Sequence, residues 1–261
     1  QQAAIVAALA LASADRPARD GVVDYARETL AEATEFVRSR NLVTLPENPL
    51  EIILMPVFQR GVAVAYCDSP GPLDKGQRTF YAVSPIPADW TDAQVDSFLR
   101  EYNKRSIADL TVHEAMPGHY LQIAHSNRYP SVLRAMLWSG PFVEGWAVYA
   151  ERVMREQGFR GGDPLMKLVQ LKWYLRAATN AIMDSAIQVD GMTRDEARKL
   201  MTETGFQEER EAADGGEGAA QLAHGRDGGM RTRHLSEGIV AEVEAPALQP
   251  RPGHTMRRQP V

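Results

Sequence analysis

The segment TVHEAMPGHYLQ, residues 111–122, places two histidines and a glutamate close together. In the zinc-binding pattern His-Glu-x-x-His, the histidines lie four apart on a helix. Their rings are then about 40° apart around the axis, and both reach one ion. Here His113 and His119 are six apart. On an unbroken helix that spacing means about 240° of rotation and roughly 9 Å of rise, so the rings could not share a metal. Pro117 changes the geometry, because it has no N–H for the carbonyl of His113 and its ring crowds that carbonyl. Gly118 accepts backbone angles that other residues avoid. Together they are expected to bulge the helix and swing His119 back onto the face of His113. The plain alternative is that Pro-Gly ends a helix and the histidines are incidental. Against it, three of the six histidines (His113, His119 and His125) fall within thirteen residues, 113–125.

A catalytic zinc takes three protein ligands and keeps one position open. The stretch FVEGWAVYAERV, residues 142–153, offers Glu144 from a separate helix, and Gly145 beside it permits close approach. Glu151 lies about 20° off the same face but roughly 10 Å further along. It is either a partner behind a ligand or an ordinary surface charge, and the surface charge is the favoured reading.

These residues need elements to hold them. Residues 21–39 place Val22, Tyr25, Ala26, Leu30, Ala33, Phe36 and Val37 at helical spacing. The short runs LEIILMP (50–56), GVAVAYC (61–67) and RTFYAVS (78–84) are rich in β-branched and aromatic residues and read as strands. From Pro87 onward the chain reads as helical. Thr91 with Gln94, and Thr193 with Glu196, fit capping boxes. Pro141 opens one helix, and Asp163-Pro164 starts a long one that runs to about Val189. The fold class is therefore mainly α, of the α+β kind, with a small sheet of two to three strands. Tyr66 and Tyr81 fit either core or cleft, and Cys67 reads as a small buried hydrophobe. An exposed edge of the strands at 61–67 and 78–84 could add a peptide as an extra strand; a covered edge fits the sequence equally well.

Composition narrows the functions. The net charge of −5 argues against nucleic-acid binding by bulk electrostatics. A single cysteine excludes an intrachain disulfide and a Cys-rich zinc module. The run AAIVAALALASA, residues 3–14, resembles the core of a signal peptide but lacks a basic leader, so a first helix is the favoured reading. It is too short to span a bilayer, and no membrane span appears elsewhere. Two regions are expected: 1–212, which holds the site, and an irregular, disordered tail at 213–261 without apolar periodicity.

HEAMPGHYLQ followed by SGPFVEGWAVYAER resembles the bacterial "domain of unknown function 885" family, regarded as gluzincin-like zinc peptidases. The resemblance extends through RGVAVAYCDSPGPL, TFYAVSPIPADW, QLKWYLRAATNAIMDSAI and LMTETGFQEEREAA, and covers most of residues 1–212. It implies a helical zincin-like core at 1–212, with His113, His119 and Glu144 as zinc ligands and Glu114 as the general base acting on metal-activated water. The substrate would be a peptide. Family members are typically longer before Gln1, often carry a histidine where this chain has Gln188, and continue differently after EREAA. By that resemblance this chain is N-terminally incomplete. Localisation stays open between cytoplasm and export.

On the long helix Lys172, Arg176, Asn180, Asp184 and Gln188 recur every four residues. Spacing alone favours a solvent face. The family resemblance points instead to a cleft lined by Arg176, Asn180 and Asp184, with Arg176 holding a substrate carboxylate and Asp184 orienting a ligand histidine. A catalytically inactive fragment that binds peptide or metal, and a scaffold with structural histidines, stand as alternatives to the zinc hydrolase.

Overall fold

The computed structural model describes residues 2–60, 63–74 and 76–212. The tail expected at 213–261 lies outside the described residues, as do the first two residues of the GVAVAYC run. The apolar N-terminal run forms helix α1 (Gln2–Ala12), which packs along the long helix α8 (Pro164–Ser185). Helix α2 (Val22–Arg40) buries one stripe, Val22, Val23, Ala26, Ala33 and Val37. It stops at Asn41, whose left-handed φ of 51° lets its N–H reach back to the carbonyl of Arg38.

Three strands follow, β1 (Leu50–Leu54), β2 (Ala65–Asp68) and β3 (Thr79–Val83). Their order is β1-β3-β2, with β3 parallel to β1 and antiparallel to β2. The central position of β3 matches its burial, since Tyr81, Ala82 and Val83 are all inside. Tyr81 is therefore a core residue, and its hydroxyl meets Thr111 Oγ1 at 3.3 Å. Opposite it on β2, at the sheet edge, sits the half-buried Cys67.

Helix α3 (Asp92–Glu101) opens with the expected Thr91–Gln94 capping box. Helix α4 (Lys104–Glu114) is capped by Asn103 and packs against α2, α8, β2 and α7 (Gly140–Glu156). It joins two apolar clusters. Ile107 belongs to one, with Val23, Tyr81, Phe98 and Tyr102. Val112 belongs to the other, with Val37, Leu121, Ala150 and Met154. Each such side chain contributes about 1.5–3 kcal/mol when fully buried. The last turn of α4 is thus held from several sides.

The remaining helices are α5 (His119–Ser126), α6 (Val132–Met136) and α9 (Arg194–Lys199). Ser139 caps α7 with Pro141 in its first turn, Asp163 caps α8, and α9 carries the Thr193–Glu196 box. Helix α8 passes into a π-helical turn, Ala186–Asp190, and stops at Gly191. Among the described residues, no helix is long and apolar enough to cross a membrane.

Spacing alone would turn the polar line of α8 to solvent, but its first two members, Lys172 and Arg176, turn inward, while Gln188 is exposed. Lys172 Nζ lies 2.7 Å from Glu101 Oε2, and Arg176 is ion-paired with Glu211. Leu171, Leu175 and Ile182 of the same helix are exposed instead. The inward side of α8 meets the carboxylates of α3 and of the segment before Ala212, and those carboxylates select the cationic stripe.

Candidate metal centre

The helix bearing His113 does not bulge; it stops. Helix α4 ends at Glu114, the Met116–Pro117 peptide is cis, and α5 begins at His119. The two histidines therefore sit on different helices, in the last turn of one and the first turn of the next. Their rings meet edge to face, with centroids 4.7 Å apart and planes at 87°. Gly118 takes a ψ of −131°, outside the α and β regions, and also permits a close approach. A Cβ there would lie 1.7 Å from the carbonyl oxygen of His113 and 2.4 Å from that of Val112. Trp146 of α7 donates from Nε1 to the Pro117 carbonyl at 2.9 Å, which ties this turn to the helix that carries Glu144.

Two carboxylates meet the histidine pair. Glu144 Oε2 lies 3.5 Å from His113 Nε2 and 3.5 Å from His119 Nε2. Glu114 offers a carboxylate oxygen that, with one nitrogen of each histidine, fits within 4.8 Å, so His113, Glu114 and His119 could hold a metal ion. The two glutamates are held differently. Glu114 Oε2 accepts the backbone N–H of Cys67 at 3.1 Å, which anchors it to the edge of β2. Glu144 is ion-paired only with the two imidazoles among the described residues.

On the far side of the ring, His113 Nδ1 lies 2.6 Å from Glu151 Oε1. Glu151 is 6% exposed, so it is no surface charge. His119 Nδ1 is buried without a hydrogen-bond partner. His125 is not part of the site, since its Nε2 meets the carbonyl of Thr44 at 2.8 Å.

The electrostatics follow from this crowding. Burial opposes charge on His113, but Glu144, Glu151 and Glu114 outweigh it and raise its pKa well above 6.5. Burial also works against ionised Glu144, yet the two imidazoles hold its carboxyl well below the usual range. Burial raises the pKa of Glu114, and the nearby histidines and the Cys67 N–H only partly offset it. Burial pushes the Cys67 thiol up to about 12, which disfavours the thiolate.

The donor set suits a divalent cation, since the carboxylates of Glu114 and Glu144 meet two imidazoles. At 3.5 Å, the contacts of Glu144 to both Nε2 atoms are long for hydrogen bonds. Tetrahedral zinc with bonds of about 2.0–2.2 Å sets its ligand atoms roughly 3.3–3.6 Å apart. The two Glu144 separations are therefore compatible with ligand edges as well as with ion pairs.

The comparisons with other proteins agree with this architecture. The pattern of the bacterial proteins of unknown function known as DUF885 matches residues 2–215. The chain belongs to that family. A solved structure described as "a putative lipoprotein of unknown function" from Shewanella oneidensis is 37% identical with a TM-score of 0.70, and the match covers 87% of this chain and 39% of that one. A second such protein from Colwellia psychrerythraea shares the fold at 23% identity and a TM-score of 0.64, covering 85% of this chain and 35% of its own. This DUF885 chain thus spans well under half the length of either. No curated protein matches it.

Of the site residues expected on α8, Arg176 already has a partner. Arg176 is engaged by Glu211 and lies over the Trp173 ring, 4.9 Å from its centroid. Asn180 and Asp184 are half-buried further along the same helix. Two contacts depart from the favoured sequence reading. The backbone N–H of Cys67 has no side-chain signal that could reveal it. Glu151 did have one: its seven-residue spacing from Glu144 put it on the same face.

Proposed function

We propose that the chain carries the core of a zinc-dependent hydrolase acting on peptide bonds, as its gluzincin-like resemblance implies. His113 Nε2, His119 Nε2 and Glu144 Oε2 would hold the ion, within a catalytic region at 1–212. The observation that carries this reading is the single oxygen of Glu144 standing 3.5 Å from both imidazole nitrogens. Glu144 is preferred over Glu114 as the ligand because Glu114 is already tied to Cys67.

Bound zinc supplies Lewis-acid chemistry, polarising a carbonyl and acidifying water. Glu114, steadied at Oε2 by the Cys67 N–H, receives the proton of the attacking water at Oε1 and returns it to the leaving amine. Its raised pKa brings it closer to the working range of such a base. Glu151 holds Nδ1 of His113, so that Nε2 faces the site. On α8, Asn180 and Asp184 are the proposed substrate contacts together with Arg176. A substrate carboxylate at Arg176 has to displace Glu211.

A second reading, an inactive fragment that binds metal or peptide, is favoured by one observation: the match covers only 39% of the Shewanella oneidensis chain. Hydrolysis of a peptide library by the zinc-loaded protein, beside Glu114→Gln, separates the two. The enzyme reading expects turnover in the parent and none in the variant, with equal zinc in both. Equal turnover in both refutes the role of Glu114, and zinc without turnover in either supports the second reading.

A further inference from the structure

Behind the His113–Glu151 contact lies a buried polar junction that the proposed chemistry does not use. Gln170 of α8 is only 3% exposed. Its Nε2 donates to Asp109 Oδ1 at 2.8 Å and to the backbone carbonyl of Glu151 at 3.0 Å. Its Oε1 accepts from Arg155 Nε at 2.7 Å. Both donor hydrogens and one acceptor lone pair are thereby used. Asp109 stands four residues before His113 on α4, and Arg155 four residues after Glu151 on α7. Each pair lies along one helix face. A single amide from a third helix therefore bridges the two faces that bring His113 and Glu151 together.

We propose that Gln170 is a positioning residue of the metal centre, fixing α7 against α4 so that Glu151 meets Nδ1 of His113. This rests on the reading of His113 as a ligand. The chemistry of the position favours a neutral amide. A carboxylate there would face Asp109 and crowd a third buried acid against Glu151. A lysine or arginine would draw Glu151 away from the imidazole. An apolar side chain would strip partners from the buried Asp109 and from Arg155.

The test compares the parent protein with Gln170→Leu and with Gln170→Glu, which keeps the shape but loses the amide donors. Zinc affinity is measured by chelator competition, the site geometry by the visible spectrum of the cobalt(II) form, and the His113 Nδ1 proton by NMR of the metal-free protein. We expect zinc binding about 10- to 100-fold weaker in each folded variant, altered cobalt bands, and an upfield shift of the Nδ1 proton. A role in folding alone would lower the melting temperature and leave the cobalt bands and the Nδ1 proton unchanged. A folded variant with parental zinc affinity and an unmoved Nδ1 proton overturns the proposal. If the parent binds no zinc, the hydrolase reading fails, and the Nδ1 proton still decides for or against Gln170. If neither variant folds, deuterium exchange of the Gln170 side-chain amide in the parent decides: slow exchange supports the anchoring, and rapid exchange overturns it.

Discussion

His113 Nδ1 and Glu151 Oε1 are 2.6 Å apart, while His113 Nε2 faces Glu144 at 3.5 Å. One helix, α7, thus presents a carboxylate to each nitrogen of the same ring. The two contacts differ in kind. The short one is a charge-assisted hydrogen bond that fixes the ring and its tautomer. The long one leaves room for a cation between donor atoms.

Glu151→Gln is the direct probe of that division. The amide keeps the size of the side chain but removes its charge. We expect zinc affinity to fall about 10- to 100-fold, with the fold retained. Competition with a chromophoric chelator measures it. Unchanged affinity would return Glu151 to a purely structural role.

Gly118→Ala tests the turn. The new Cβ would meet the His113 carbonyl oxygen at 1.7 Å, and the obstacle is backbone, which cannot rotate away. We expect a loss of about 3 kcal/mol or more, at the upper end of overpacking effects, together with loss of stoichiometric zinc. Chemical denaturation and metal analysis read the two effects separately. A variant that keeps both would show that the two helices need not approach so closely.

The pH dependence follows from His113. Its folded pKa lies above 6.5, so its contribution to metal-free stability is fully present below about 6.5 and is lost as pH rises through the folded value. Zinc competes with that proton, so zinc affinity rises over the same range. Melting temperatures of the metal-free protein across pH 6 to 9, compared with His113→Ala, check the sign. The parent should lose stability relative to the variant as pH rises; a parallel pair of curves would contradict it.

Lys172→Met tests the inward polar line of α8. Lys172 and Glu101 are nearly enclosed, with side-chain exposures of 13% and 4%. Removing the ammonium leaves the buried Glu101 carboxylate with the Glu208 N–H but without its cation, at a cost of about 3 kcal/mol. Urea denaturation should show this loss, with zinc stoichiometry unchanged. A cost below about 0.5 kcal/mol, as for a surface position, would mean that the pair is solvated.

Much of the fold was legible in the sequence because its signals are local. The Thr91–Gln94 and Thr193–Glu196 boxes, Pro141 and Asp163-Pro164 each mark a helix start that the structure keeps. LEIIL and TFYAV form strands, and GVAVAYC joins them from Ala65, because β-branched and aromatic residues suit a pleated, half-buried surface. The proline and glycine of the HEAMPGH turn were legible as a device for changing direction. Whether it bulged or broke the helix was not, because that depends on what α5 and α7 pack against. The exposed Leu171, Leu175 and Ile182, against the enclosed Lys172, show the limit of periodicity. Spacing reveals that a helix has two faces, and only the partners from α3 and Glu211 decide which one turns inward. Gln170 carried no signal at all, since a lone amide in an apolar helix gives no hint that three partners converge on it.

The most direct measurement is the zinc content of the purified protein by mass spectrometry after equilibration with micromolar zinc, for the parent, His119→Ala and Glu144→Ala. One ion per chain in the parent and nearly none in either folded variant is the expected result. A parent without zinc, or variants that retain a full equivalent, would contradict the proposal that these three side chains grip a common ion.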